Sequence, residues 1–215
     1  FDSPMNYSFR ELMNDFFAHT SITTKEFTEE LIGLYTMYSF EALSSCQNLL
    51  SSHDVRRFLN RSENNVGALK SAMFLQATFP GVAGIYYGDE IGLNGGDEPS
   101  NREAFPWHDE ESWNNDLSTW VKELMNLKSH LEPLKKGKFE LIGYSETTVA
   151  YRRYCNSESL ICVINRDTLL KEWKIKNQSK EIDLIWGHKG IEYKNNEIII
   201  KNLAPYSGAI FKEIN

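Results

Sequence analysis

Near Gly137 the hydrophobic period of this 215-residue chain changes, so the chain must build two kinds of layer. Before that point, short apolar runs alternate with stretches of helical spacing. Residues 1–7 form a short apolar start, expected as the last strand residues of a preceding βα unit. Residues 8–19 have helical spacing, and Thr23 with Glu26 forms a capping box. Phe27, Leu31, Leu34, Tyr35 and Tyr38 then share one helical face. Residues 46–51 read as a strand. Val66, Leu69, Met73 and Phe79 are loosely helical, and Pro80-Gly81 ends that segment. The continuous apolar run 82–87 predicts a strand buried on both faces of a parallel sheet. Leu117, Trp120, Val121, Leu124 and Leu131 mark a further helix, closed by Pro133 and Gly137. Alternating strands and helices predict a parallel α/β sheet or barrel, with parallel strands at 1–6, 46–52 and 82–87, each followed by helix. About three βα units are too few for a complete eight-fold barrel.

After Gly137 the segments 138–144, 147–154, 160–165, 172–176, 181–186, 197–203 and 207–213 are short and strand-like. Asn156-Ser157, residues 187–190 and Asn195-Asn196 supply turns. This density of short strands predicts a separate antiparallel β-sandwich. The expected organisation is therefore an α/β part over 1–137 and an all-β part over 138–215.

Charge narrows the partner classes. The net charge is −7, which argues against nucleic acid as a partner. Residues 1–137 carry 11 Lys and Arg against 20 Asp and Glu, a net of −9, whereas residues 138–215 are net +2. An acidic first part suits a neutral, hydroxyl-rich ligand and a positively charged transition state. No apolar run reaches membrane-spanning length, so no membrane partner is expected. The start has no initiator Met and no leader pattern, and reads as internal sequence. Cys46, Cys155 and Cys162 lack metal-ligand spacing, and their odd number favours a reducing, cytoplasmic setting.

Chemistry concentrates in two places. The first is Leu49-Leu50-Ser51-Ser52-His53-Asp54-Val55-Arg56-Arg57-Phe58-Leu59, a short apolar strand ending in a charged rim. In parallel α/β folds ligands bind at the carboxyl ends of strands. A carboxylate there can stabilise developing positive charge, and a nearby arginine would keep it ionised. The competing reading makes Asp54 a cap for the next helix, with His53 bonded locally. The second place follows the run 82–87: Gly88-Asp89-Glu90, then Gly95-Gly96-Asp97-Glu98-Pro99-Ser100-Asn101-Arg102 and Phe105-Pro106-Trp107. Aromatic rings that stack on sugars, with carboxylates and a guanidinium to bind hydroxyls, are equipment for carbohydrate. Asp89 and Glu90 are read as members of a structural salt-bridge network, and Arg102 as a ligand-binding residue.

Three motifs in this order resemble the α-amylase family. Phe1-Asp2-Ser3-Pro4-Met5-Asn6-Tyr7 is similar to its strand six, Leu-Leu-Ser-Ser-His-Asp to its fourth signature region on strand seven, and Tyr-Tyr-Gly-Asp-Glu with Gly-Gly, Pro and Asn-Arg to strand eight and its loop. The branch resembled is that of neopullulanases, cyclomaltodextrinases and maltogenic amylases. The resemblance covers residues 1–137; residues 138–215 fit the family's carboxy-terminal β-sandwich by position and pattern. It implies the last strands and helices of a (β/α)8 barrel, strands six to eight, followed by that sandwich. It implies Asp54 as the transition-state-stabilising carboxylate, His53 as a sugar-hydroxyl ligand and Arg102 as a contact to the non-reducing side of the substrate. Glu98 stands where this branch usually has Asp, keeping the charge on a longer side chain. Ser52 stands where many members have Asn.

Retaining glycosidases also need a nucleophile and a general acid about 5–5.5 Å apart. In this family they lie on strands four and five, outside the matched stretch, so the chain is expected to hold half an active site and to be inactive alone. The implied partners are an α-glucan oligosaccharide and an amino-terminal part of the same enzyme, with a homodimer of the intact protein left open. No cofactor is expected; the family includes calcium binders, but no metal site is legible here. The leading function is hydrolysis of α-glucosidic bonds in maltodextrins, cyclodextrins or pullulan. A related transferase or isomerase shares these motifs. Two functions of a different class compete with it: a glucan-binding accessory module, and a structural cap without chemistry.

Overall fold

In a computed structural model, residues 4–156, 158–177 and 181–214 are described. Three short parallel strands open the fold in the order β1 (Met5–Asn6), β2 (Gln47–Leu49) and β3 (Val82–Gly84). Helices connect them: α1 (Tyr7–Met13), which continues into a wider helical turn at Asn14–Ala18, then α2 (Thr24–Met37) and α3 (Phe40–Ser45) before β2. Between β2 and β3 lie α4 (Phe58–Arg61) and α5 (Val66–Thr78). A long loop with three short helical turns leads from β3 to α6 (Asn115–His130) and α7 (Glu132–Lys136).

The local signals account for these boundaries. Thr23 and Glu26 make the reciprocal capping box that starts α2. Asn65 and Asn114 cap α5 and α6 by accepting the backbone N–H of Ala68 and Leu117. α5 is buried nearly all round, which explains why its sequence lacks a clean amphipathic stripe.

The parallel strands are shorter than the sequence predicted, and residues 1–3 of the first lie outside the described residues. The run 82–87 is a strand only at Val82–Gly84, and it is not buried on both faces: Val82 is 53% and Tyr87 39% exposed. Among the described residues β3 pairs only with β2, and Tyr86 and Tyr87 leave the sheet to enclose the guanidinium of Arg57. α3 and α4 are not legible in the sequence, being six and four residues long, too short for an apolar period to announce them.

From Lys138 onward the chain is antiparallel. A five-stranded sheet runs β4 (Lys138–Tyr144), β5 (Thr148–Cys155), β6 (Glu158–Asn165), β11 (Gly208–Ile214), β8 (Glu181–Gly187). A three-stranded sheet runs β7 (Leu170–Lys176), β10 (Glu197–Leu203), β9 (Ile191–Lys194). The sequence does not announce β9, because its four residues alternate Ile, Glu, Tyr and Lys, too short a pattern to separate from a turn. Asn195 and Asn196 both adopt positive φ and close the β9–β10 hairpin, as expected for an Asn-Asn turn. In the Asn156-Ser157 turn, Asn156 has positive φ and Ser157 lies outside the described residues.

The five-stranded sheet is the middle layer. Leu160, Cys162 and Ile164 of β6 join Phe139, Val149, Tyr151 and Ile210 against the helices. Ile161 and Val163, one step along, face the other way with Ala150, Ala209 and Phe211. There they pack on Ile175, Ile198, Ile200 and Leu203 of the smaller sheet. The two-residue period of a strand produces both faces from one apolar run, so β5, β6 and β11 are each buried on both faces. The helix-side cluster continues across residue 137 without a break.

A buried and a half-buried cation tie the parts together. The guanidinium of Arg153 is fully buried and donates to the carbonyls of Thr78, Leu134, Gly137 and Lys138. Lys128 Nζ donates to Leu134 O at 2.8 Å. These donors satisfy carbonyls left open at the ends of α5 and α7. Burial lowers Arg153 to about 10 and Lys128 to about 7, the latter helped by the Arg153 charge. Cys46, Cys155 and Cys162 are free thiols.

Candidate active site

The loops after β2 and β3 leave the same end of the parallel sheet, because parallel strands share one carboxyl edge. After β2 the backbone turns at once. Ser52 and Val55 form an isolated bridge, and Ser52 Oγ accepts the N–H of Asp54 at 3.2 Å. The same hydroxyl is 3.1 Å from Tyr7 Oη. Ser52 thus ties the turn to α1. The side chains of His53 and Asp54 project outward, more than half exposed, with His53 Nε2 3.1 Å from Asp54 Oδ1.

Asp54 does not cap the following helix. The Phe58 N–H at the start of α4 is taken by Ser51 Oγ at 3.0 Å, and Arg57, the residue before the helix, makes no side-chain cap. The neighbouring arginines do not serve Asp54 in the way the sequence suggested. Arg56 pairs with Asp97. Arg57 turns inward and pairs with Asp89 at 2.9 Å. The side chain beside the Asp54 carboxylate is the His53 imidazole.

The β3 loop reaches back to this turn. Arg102 Nε donates to the carbonyl of His53 at 2.8 Å, and its fork also pairs with Glu98. Asn101, fully buried, donates from Nδ2 to His53 O at 2.9 Å and Val55 O at 3.0 Å. Arg57 N donates to Gly95 O at 3.0 Å. Gly95 lets these strands of loop meet: a Cβ there would stand 2.6 Å from Ser100 O and 2.7 Å from Asn101 Cα. His53, Asp54, Glu98 and Arg102 are therefore brought to one rim. Beside it lies a cavity of about 210 Å³ lined by Asp54, Val55, Arg61, Asp97, Glu98 and Asn101.

Beneath the rim the Arg57 guanidinium lies between Tyr86 and Tyr87, 4.5 and 4.9 Å from the ring centroids. Burial raises the Asp89 carboxyl to about 6, against the pull of hydrogen bonds from Ser51 and Arg57. Asp89 is the structural ion-pair member that its sequence position suggested. Glu90 is half-buried, with Oε2 unpartnered among the described residues. Farther along, Phe105, Trp107 and Trp113 cluster, with Trp113 edge to face against the other two rings, and Trp107 is 69% exposed. Among the described residues no cluster of three or more His, Cys, Asp or Glu is placed to hold a metal ion. No helix among them is long and apolar enough to cross a membrane.

Ser52, noted in the sequence for its place in the strand-seven motif, and Asn101 both act on the backbone of the turn. The one available signal for Asn101 was its place beside Arg102 in the Asn-Arg pair.

Arranged in this way, the rim offers an exposed carboxylate with an imidazole at its side, and a guanidinium–carboxylate pair one loop away. That set can oppose positive charge and hold hydroxyl groups.

Known proteins share this arrangement of elements. The chain is 39% identical to neopullulanase 2 of Thermoactinomyces vulgaris over 216 residues, which covers 98% of this chain and 36% of that protein. It is 34% identical to a cyclomaltodextrinase of Thermoanaerobacter pseudethanolicus over 169 residues, 78% of this chain and 29% of the relative. The chain thus spans roughly a third of the length of these curated relatives. In structure it is similar to the debranching enzyme of Nostoc punctiforme, with a TM-score of 0.88 at 24% identity, covering 98% of this chain and 48% of that one. Residues 1–148 match the α-amylase catalytic domain. On that match, and on the relatives that share it, the chain belongs to the α-amylase family.

Proposed function

We propose that residues 1–137 are the carboxy-terminal part of a catalytic (β/α)8 barrel, strands six to eight, and that residues 138–215 are the antiparallel β-sandwich that follows it. The whole protein is a retaining glycosidase acting on α-glucosidic bonds of maltodextrins, cyclodextrins or pullulan. One observation carries this reading: the loops after β2 and β3 bring Asp54, His53, Glu98 and Arg102 to a single rim. The names of the curated relatives, cyclomaltodextrinase and neopullulanase among them, supply the substrate class.

In the mechanism Asp54 opposes the partial positive charge that grows on the anomeric carbon and ring oxygen as the glycosidic bond breaks. It does so only as charge develops, so it favours the transition state over bound substrate. His53 bonds a hydroxyl of the sugar at the cleavage point, and Arg102 with Glu98 holds the non-reducing side. The nucleophile and general acid come from the amino-terminal part of the same enzyme, and water completes the double displacement.

The test is Asp54→Asn in the full-length enzyme, assayed on maltotriose and β-cyclodextrin. The substitution keeps shape and removes charge, so kcat should fall roughly 10²–10³-fold, with KM little changed. A normal kcat would remove Asp54 from the chemistry. Tight maltotriose binding by a full-length protein that hydrolyses nothing would favour the accessory-module reading, and transfer outrunning hydrolysis would favour a transferase.

A further inference from the structure

The side chain of Asp54 is more than half exposed, yet the backbone on either side of it is fixed. Its own N–H is held by Ser52 Oγ. The carbonyl before it, His53 O, and the carbonyl after the next residue, Val55 O, both accept from the carboxamide of Asn101 at 2.9 and 3.0 Å. Ser52 O lies at the edge of the same group, 3.5 Å away. One amide with two N–H groups thus holds both sides of the turn from 46 to 49 residues farther along the chain. Asn101 is itself enclosed. It is fully buried, sits in the short helical turn Ser100–Arg102, and is approached by Gly95 at a distance no side chain would allow.

A carboxylate stabilises a transition state well only when it is already in place, because moving it during the reaction uses the energy it would supply. An exposed side chain on a free turn would not meet that condition. We infer that Asn101 is a positioning residue: its buried carboxamide fixes the turn that carries Asp54 and sets where that carboxylate stands. The inference rests on the glycosidase role of Asp54. It adds a residue that touches no substrate and acts through two backbone carbonyls.

The experiment uses the full-length enzyme with Asn101→Ala and Asn101→Ser, each made alone and together with Asp54→Asn. Thermal melts establish folding, and steady-state hydrolysis of maltotriose gives kcat and KM. In the otherwise native enzyme kcat should fall roughly 10–100-fold with KM within about twofold, as a misplacement of about 1 Å can cost 10²-fold. With Asp54→Asn already present, the same substitution should change kcat by less than about threefold, since no charge remains to be positioned. Asn101→Ser, which retains one donor, should fall between native and Asn101→Ala. A folded Asn101→Ala enzyme of normal kcat beside a crippled Asp54→Asn enzyme overturns the inference and leaves the glycosidase reading standing. Equal losses in both backgrounds, or failure of both Asn101 variants to fold, assign Asn101 to structure alone. A normal kcat for Asp54→Asn by itself defeats the glycosidase reading and this inference with it.

Discussion

Nη1 of Arg57 lies 2.9 Å from Oδ1 of Asp89, and both side chains are buried beneath the rim that carries Asp54. The pair joins the loop after β2 to the loop after β3. A second bond from the same nitrogen, to Tyr87 O at 2.8 Å, fixes the guanidinium between its two aromatic neighbours.

Breaking that pair should cost far more than replacing it. Asp89→Asn or Arg57→Met alone leaves a buried group without its partner, at about 3–5 kcal/mol. The double variant Arg57→Met with Asp89→Leu should recover most of the loss, because both desolvation costs vanish together. Urea denaturation of the three full-length variants measures this. Single variants within about 1 kcal/mol of native would show the pair to be dispensable.

Arg102 should behave differently from Asp54. It contacts the His53 backbone and Glu98 and, in the proposed role, holds substrate before and during reaction alike. Arg102→Ala should raise KM roughly tenfold, the range of one charged hydrogen bond, with a smaller effect on kcat. Arg102→Lys should restore little, because a single ammonium cannot reproduce the fork that bonds both partners. A fall in kcat at constant KM would instead place Arg102 in the transition state.

Lys128 should write itself into the pH dependence of stability. Burial and the Arg153 charge lower it to about 7 in the folded protein, from 10.5. Between those values the unfolded chain binds the extra proton, so stability should rise with pH from about 7 upward. Below about 7 both states are protonated and the contribution is constant. The three thiols act in the opposite sense above pH 9, since burial raises each of them. The stability difference between native protein and Lys128→Met therefore isolates the lysine. It should grow in favour of the native protein between pH 7 and 10; a difference independent of pH would show that Lys128 stays charged.

Much of this protein was legible from residues one after another. The period change near Gly137, the capping box at Thr23 and Glu26, and the Asn195-Asn196 turn are local signals, and local backbone preference decides each of them. The two charged rims were equally legible, because strand ends announce themselves where an apolar run stops. Their juxtaposition followed from strand direction alone.

What only the tertiary structure decided was the partner of each charge. In sequence two arginines follow Asp54 within three residues, yet Arg56 goes to Asp97, Arg57 goes to Asp89, and the neighbour of the Asp54 carboxylate is His53. Successive residues on a tight turn point in different directions, so adjacency along the chain says little about contact in space. Burial of the run 82–87 follows the same rule: hydrophobicity shows that a segment seeks cover but not what covers it. Tyr86 and Tyr87 enclose the Arg57 guanidinium, while β6, reading no differently, lies between two layers. Asn101 carries the same lesson, since a buried amide that serves distant carbonyls has no periodicity to betray it. Its role exists only once the loop has folded back across the turn, and that closure depends on long-range packing, which no local window of the sequence contains.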